Sequence, residues 1–399
     1  MSSWLLPENI SDVLPQEARR VEDLRRALLD LYRSFGYEYV IPPLIEHLES
    51  LLSETDSDLD LRTFKLVDQS SGRSLGVRAD VTPQTARIDA HILNRQGVVR
   101  LCYAGPALHA RPLHPLASRE PIQVGAELYG DASIQADGEV LRLAARSLEL
   151  AGADEIRIDL GHSGVLRAVL DADRPPPDRL EDILVALNSK DPSALKSAAS
   201  ALSAPAREAL LRLVDLHGDI GTLARARQQL PASPSLAAAL ARLEELAGFC
   251  SPGTVSVDLA DLHGYRYYTG ATFAAYVAGS PGPILRGGRY DDIGRAFGRA
   301  RPATGFSIVD LREAAALGTP SVRPKAIVAP HGPEPELDAL VDRLRGQGQI
   351  VVRGGPGRLA EGDLEFDREI RRIDALWQVV ERGPDSSNSG LAEAGSDGA

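Results

Sequence analysis

Two short segments carry side chains that could hold a ligand. Gln123 and Glu127 lie four residues apart in Gln-Val-Gly-Ala-Glu, and an even step places both on one face of a strand. Asp80 and Thr82 share the run Arg78-Ala-Asp-Val-Thr82. Together with the adjacent Tyr267 and Tyr268 they offer carboxylates, a hydroxyl, an amide and two phenols. Such a set could accept from an amine and meet the polar atoms of a small ring. Each residue taken singly has a plainer reading: a loop Asp or Thr commonly serves as a turn or cap, and tyrosines in an apolar run pack in a core with a wet hydroxyl. His109, His114 and His263 raise the question of a metal, but they lack the carboxylate or cysteine companions that ligand spacing requires. No metal and no cofactor are expected.

The elements that position these residues follow from periodicity. Val21, Leu24, Leu28, Leu31 and Phe35 recur at steps of three and four, the mark of one helical face, and Gly36 supplies a stop. The β-branched and aromatic run from Gly36 to Glu46 predicts a strand, confined to an edge by Pro42 and Pro43. Phe64 to Asp68 and Ser74 to Arg78 bracket a Ser-Ser-Gly turn, as in a hairpin. A helix is expected over Pro83 to Arg95, strands over Val99 to Tyr103 and Gln123 to Tyr129, a helix over Gly138 to Ala151 and a strand over Ile156 to Leu160. Residues 165–250 are rich in Ala, Leu and Arg, with almost no strand signal, and read as a helical insertion. Strands return at Val255 to Leu259, Thr272 to Val277 and Gly305 to Val309. Gly318 to Pro324 is a linker to a small unit that opens as strand, helix, strand. With no alternating strand–helix order, the fold expected is α+β with a mainly antiparallel sheet.

The chain has 399 residues and a net charge of -12. That balance speaks against a polyanion such as nucleic acid as partner, since such proteins more often present a basic surface. Cys102 and Cys250 form no CxxC pair, so neither structural zinc nor a disulfide framework is expected. No basic and apolar leader is visible and no run approaches the ~18–20 apolar residues of a membrane span. The chain reads as cytoplasmic.

Three segments carry a resemblance. Asn9-Ile-Ser-Asp-Val-Leu-Pro15, with the helix and strand after it, resembles the dimer-forming first motif of class II aminoacyl-tRNA synthetases. Arg100-Leu-Cys-Tyr-Ala-Gly-Pro106 running to Gln123-Val-Gly-Ala-Glu-Leu-Tyr-Gly130 is similar to their second motif. Tyr267-Tyr268-Thr269-Gly270, Gly287-Gly288-Arg289-Tyr290-Asp291 and Gly305-Phe306-Ser307-Ile308 resemble the histidine-specific segment and third motif of the histidyl enzymes. The resemblance spans roughly residues 4 to 312 and implies a class II synthetase-like fold. It also implies a histidine pocket formed by Asp80, Thr82, His109, Gln123, Glu127, Tyr267 and Tyr268. In that pocket Asp80 and Thr82 meet the amine, Gln123 and Glu127 the backbone and imidazole, and Tyr268 the ring. Glu46 corresponds to no ligand position.

The run Ala79 to Arg87 and the segment from Phe366 to Val380 resemble instead the regulatory subunits of ATP phosphoribosyltransferase, a family paralogous to the histidyl synthetases. That resemblance implies a non-catalytic chain that binds L-histidine and enables or feedback-regulates the first step of histidine biosynthesis. The implied partner is a short-form ATP phosphoribosyltransferase catalytic subunit, within a hetero-oligomer that contains a homodimer of this chain. The implied boundaries are a synthetase-like domain over 1–322, a small α/β unit over 323–381 and a disordered tail over 382–399. The competing readings are an active histidyl-tRNA synthetase and a stand-alone tRNA- or amino-acid-binding module.

Departures from the synthetase pattern decide between these readings. His109 stands at the second-motif arginine, Arg111 at the following glutamate, Ala117 at a further arginine, and His263 at the histidine-specific arginine, while Arg312 matches. Adenylate formation needs cations on the phosphates, and an imidazole does not replace a guanidinium fork. The loss of even one such contact costs roughly 10²–10³ in rate. The purified chain is therefore expected to show no histidine- and ATP-dependent pyrophosphate exchange; exchange at the rate of an ordinary synthetase would contradict this reading.

Overall fold

The computed structural model describes residues 4–51, 57–250, 255–318, 324–354 and 364–382. The chain divides into two compact units, residues 1–319 and 320–399.

The first unit is built on a nine-stranded sheet. In chain order the strands of this unit are β1 (Glu38–Tyr39), β2 (Ile45–His47), β3 (Phe64–Val67), β4 (Ser74–Val77), β5 (Val99–Pro106), β6 (Ile122–Tyr129), β7 (Ile156–His162), β8 (His217–Gly218), β9 (Val255–Asp258), β10 (Ala271–Val277), β11 (Leu285–Arg289) and β12 (Ala303–Ile308). The large sheet runs β1-β5-β6-β12-β11-β10-β7-β9-β8, and β2, β4 and β3 form a small sheet apart. Pairing is antiparallel from β5 through to β7 and again between β9 and β8, and parallel for β1 with β5 and β7 with β9. This is the expected α+β, mainly antiparallel arrangement.

The helix Pro15–Ser34 starts on a proline and buries Val21, Leu24, Leu28 and Tyr32. The apolar stripe thus ends on Tyr32 rather than on Leu31 and Phe35, because 28 to 32 continues the step of four. Tyr32 meets the ring of Phe306 edge-on at 5.8 Å. Gly36, with φ of 83°, turns the chain out of the helix. The single strand expected over Gly36 to Glu46 is two: β1 joins the large sheet and β2 the small one. Pro42 and Pro43 fall between them, where neither N–H is needed. The expected helix over Pro83 to Arg95 is a helix Thr82–Arg87 continued as a π-helical turn, Ile88–Leu93, and Asn94, at φ of 43°, ends it.

Along β6 the alternation places Val124, Ala126 and Leu128 in the main core with the helices Pro15–Ser34 and Ile134–Leu150. Gln123, Gly125, Glu127 and Tyr129 take the other face. Both faces are covered, and Gln123 through Tyr129 is buried throughout. The strand β11 was not evident from sequence because a glycine pair interrupts its pattern. A Cβ at Gly287 would meet the Phe273 ring and the Gly305 carbonyl. Arg289, at the end of β11, is 6% exposed. It pairs with Asp137 at 2.7 Å and with Asp291 at 3.1 Å, while Arg242 reaches the same Asp137. The Arg-Tyr-Asp run therefore fastens helix to sheet.

Between β7 and β9 lie the helices Ser163–Leu170, Pro177–Asn188, Pro192–Ala198, Ala204–Asp215, Thr222–Gln229 and Pro234–Ala247. Their buried leucines belong to the same core as the sheet. The short β8 inside this stretch, absent from the sequence reading, pairs with β9. No helix among the described residues is long and apolar enough to cross a membrane.

The second unit has β13 (Lys325–Pro330), a helix Pro335–Gly346, β14 (Ile350–Gly354), β15 (Glu365–Ile373) and β16 (Leu376–Glu381). Its sheet runs β14-β13-β15-β16, around a core of Ile327, Ala329, Leu337, Leu340, Val341, Val351 and Ile370. Asp374 and Ala375, at φ of 47° and 64°, turn β15 into β16, a tight hairpin connection. Most of the Gly318 to Pro324 linker and the tail beyond Arg382 lie outside the described residues.

Candidate functional site

The site is built on the face of β6 that carries Glu127. That side chain is 1% exposed, and both of its oxygens are engaged. Tyr103 on β5 donates to Oε1 at 3.3 Å, and Tyr290, just after β11, donates to Oε2. Two glycines make the room. Gly125 faces Tyr103 across the β5–β6 pair, and a Cβ there would overlap the Tyr103 phenol. Gly305 on β12 is the register partner of Glu127, and a Cβ there would overlap the carboxylate. Burial pushes the Glu127 carboxyl well above the usual range, against the hydroxyls of Thr82 and Tyr103, which pull it down.

The loop after β4 closes one side. The Thr82 hydroxyl is hydrogen-bonded to that of Tyr103 at 3.1 Å, and the Thr82 N–H donates to Asp80 Oδ1 at 2.9 Å. Gln123 accepts from the Val81 N–H at 3.0 Å, and His109 Nε2 bonds the Ala79 carbonyl at 2.9 Å. Gln123 and His109 therefore hold the loop by its backbone. Burial lowers the His109 pKa, so the ring is neutral.

Tyrosines close the other side. Tyr267 stacks on Tyr290 at 5.0 Å and meets Tyr268 edge-on at 5.1 Å. Tyr268 fits between Gly264 and Gly288, where a Cβ would touch its ring. It also lines a surface cleft with Asp261, His263 and Arg286. His263 is bonded to Asp261 at 2.5 Å. Burial pushes the Asp261 carboxyl up, but the His263 hydrogen bond and the Arg286 charge together bring it down to about 2. Arg167, from the helix Ser163–Leu170, donates to the carbonyls of Tyr265, Tyr268 and Thr269 and so holds the loop that carries the tyrosine pair.

Three polar atoms here are buried and unpartnered: Tyr267 OH, Tyr129 OH and His109 Nδ1. A buried donor or acceptor left unmade costs roughly 1–3 kcal/mol, so a polar ligand has partners waiting. The structure brings Thr82, Glu127, Tyr267 and Tyr268 together, and it sets Asp80, Gln123 and His109 around the loop. It adds Tyr103 and Tyr290, which the sequence reading passed over although both lie inside the motifs quoted above.

The positions that would handle phosphates are otherwise occupied. Ala117 is buried, Arg111 is exposed and His263 is bound to Asp261. Arg312, the motif arginine that remains, pairs with Asp310 at 3.0 Å and donates to the Glu120 carbonyl at 2.7 Å. Its guanidinium serves the join between β6 and the helix Leu311–Ala315.

Sheet, loop and pocket define a class II aminoacyl-tRNA synthetase-like domain. Residues 9–313 match the histidyl-tRNA synthetase family profile, and residues 324–380 match that of the ATP phosphoribosyltransferase subunit HisZ C-terminal domain. The chain is 55% identical over 381 residues to an ATP phosphoribosyltransferase regulatory subunit of Cupriavidus pinatubonensis, covering 95% of this chain and 99% of the relative. It is 52% identical over 383 residues to that of Burkholderia lata, covering 96% of this chain and 100% of the relative. A solved structure described as an ATP phosphoribosyltransferase regulatory subunit/histidyl-tRNA synthetase, from Bacillus halodurans, superposes with a TM-score of 0.79 at 26% identity, covering 91% of this chain and 96% of that one. A histidyl-tRNA synthetase from Nostoc shares the fold, with a TM-score of 0.72 at 18% identity over 93% of this chain and 92% of that one. The chain belongs to the family of ATP phosphoribosyltransferase regulatory subunits, non-catalytic members of an enzyme complex.

The crowding at Gly305 gives a direct check on this geometry. Gly305→Ala is expected to lower the unfolding free energy by about 1–3 kcal/mol, the usual cost of overpacking, because the new methyl also meets the Ala126 carbonyl at 2.7 Å. Chemical denaturation measures it; an unchanged midpoint would mean that Glu127 does not occupy this place.

Proposed function

We propose that the Glu127 pocket binds L-histidine and that its occupancy regulates a short-form ATP phosphoribosyltransferase catalytic chain. The observation that carries this reading is a buried carboxyl with two buried, unpartnered phenols in its field, Tyr267 OH and Tyr129 OH, and the unpartnered His109 Nδ1 beside the Ala79–Thr82 loop. An imidazole brings one N–H and one acceptor nitrogen, which suits a site of mixed hydroxyls and a carboxyl. At the other end Asp80 offers a carboxylate to the ammonium group. With the phosphate-handling cations replaced, ligand binding here serves sensing in place of activation. The names of the relatives support a phosphoribosyltransferase as the partner, and a role beside it in the first step of histidine biosynthesis fits a cytoplasmic chain.

The chain works as a homodimer within the larger assembly. Its first unit exposes Trp4 at 87%, Ile41 at 77% and Leu116 at 81%. Large apolar side chains on a surface are candidate contact sites, and β1 ends the large sheet among the described residues.

Two measurements test the reading. Loss of one partner of a hydrogen bond to a charged group costs about 1.5–3 kcal/mol, roughly a 10- to 150-fold loss of affinity. Glu127→Gln and Asp80→Asn are each expected to weaken histidine binding by that factor in calorimetric titration, with the fold retained. Unchanged affinity in both would make the pocket a relic. Separately, the chain mixed with a short catalytic chain is expected to form a hetero-complex that makes phosphoribosyl-ATP and is inhibited by histidine. A catalytic chain that runs alone in sizing experiments, with activity indifferent to this chain, would refute the regulatory role.

A further inference from the structure

An amino acid carries an ammonium group, a carboxylate and a side chain. In the Glu127 pocket an imidazole has hydroxyls and a carboxyl to meet, and an ammonium group has Asp80; the α-carboxylate needs a cation. At the loop position where the synthetase pattern has an arginine stands His263, which is bonded to Asp261 at 2.5 Å. Neighbouring arginines are committed elsewhere. Arg289 pairs with Asp137 and Arg312 with Asp310, and Arg78 donates to the Pro42 and Pro106 carbonyls.

Arg286 is different. It directly precedes the Gly287-Gly288-Arg289-Tyr290-Asp291 motif and is no part of it. On β11 it faces Ala274 of β10 and Ser307 of β12. Alternation puts it on the same face as Gly288 and Tyr290, the face from which Tyr290 reaches Glu127. Its side chain is 33% exposed, and its ion pair with Asp261 Oδ2 is long, at 3.8 Å. Among the described residues it donates no hydrogen bond. A guanidinium has five donors, and burying them in part without partners is costly. The floor between Arg286 and Glu127 is bare. One row across the sheet runs Arg286, Ser307, Gly125, and the next runs Gly288, Gly305, Glu127. Strands two apart are separated by roughly 10 Å, so Arg286 and Glu127 flank one open strip. Tyr268 joins them: a Cβ at Gly288 would touch its ring, it lines a cleft with Arg286, and it lies in the fields of Arg286, Asp80 and Glu127 together. Two further acids of the cleft are already neutralised, Asp159 by Arg157 and Asp258 by Lys190.

We propose that Arg286 is the carboxylate anchor of the pocket, supplying from the sheet the positive charge that the loop lacks at position 263. The proposal rests on the histidine reading and adds what the pocket selects: a free α-amino acid, in preference to the amine or alcohol of the same shape. The guanidinium fork takes a carboxylate through two parallel bonds. Asp261 leaves it available, because its hydrogen bond comes from His263. A site that holds a ligand group by a charged bond rejects the analogue without that group, since the cation is then left unmatched. A sensor built this way answers to the finished amino acid and ignores imidazole amines that lack the carboxylate.

Calorimetric titration of the full chain compares L-histidine with L-histidinol, which keeps the amine and the imidazole and has a hydroxymethyl group in place of the carboxylate. The parent is expected to bind histidine roughly 10- to 150-fold tighter, the worth of a hydrogen bond to a charged group. Arg286→Gln is expected to bring that ratio below about 3-fold by weakening histidine alone, with histidinol bound as in the parent. Arg286→Lys keeps the charge and loses the fork, and is expected to retain part of the ratio. Asp261→Asn removes the carboxylate that competes for Arg286 and is expected to tighten histidine alone, by about 2- to 5-fold. A parent ratio below about 3-fold, a ratio that survives Arg286→Gln, or equal loss of both ligands in that variant overturns the anchor and leaves the pocket reading standing. Should Arg286→Gln fail to fold, Asp261→Asn decides: no gain for histidine, or an equal gain for histidinol, overturns it. A parent that binds neither ligand refutes the pocket reading, and the anchor with it.

Discussion

The carboxyl of Glu127 is buried, at 1% exposure, and it must be satisfied where it stands. Two phenols and a threonine hydroxyl do this, and each comes from a different part of the chain: Tyr103 from β5, Tyr290 from the end of β11 and Thr82 from the loop after β4. Their convergence requires β6 to lie between β5 and β12 with glycines at 125 and 305. The Arg289–Asp137 pair and the Arg167 bonds then hold β11 and the tyrosine loop against this centre. Much of the order in the first unit serves one buried acid.

The legible parts of the sequence were those governed by local periodicity. Gln123 and Glu127 share a face because a strand repeats every second residue. The first helix buries Val21, Leu24 and Leu28 as their spacing requires. Register across strands is a long-range property, and so Tyr103 opposite Gly125, or Glu127 opposite Gly305, could not be read from spacing. Glycine hid β11, and two prolines disguised β1 and β2 as one strand. The β15–β16 hairpin was missed because charged residues from Asp367 to Arg372 blur its alternation and its turn, Asp374-Ala375, lacks the usual glycine.

The departure from the synthetase pattern has a simple electrostatic form here. The cations change, while the hydroxyl and carboxyl groups stay. His109 is neutral and tied to a carbonyl, His263 is bound to an aspartate and Arg312 serves packing. With these groups neutral or engaged, the site has less hold on a triphosphate.

The two-residue strand β8 has a consequence beyond its size. It lies within the helical stretch, yet it pairs with β9, whose other neighbour is β7. Without His217 and Gly218, the unsatisfied amides and carbonyls of β9 would form a bare margin, open to pairing with strands of other molecules. Trimming the helices to reach a minimal ligand-binding core would therefore yield a sticky, aggregation-prone protein, even if every pocket residue were preserved.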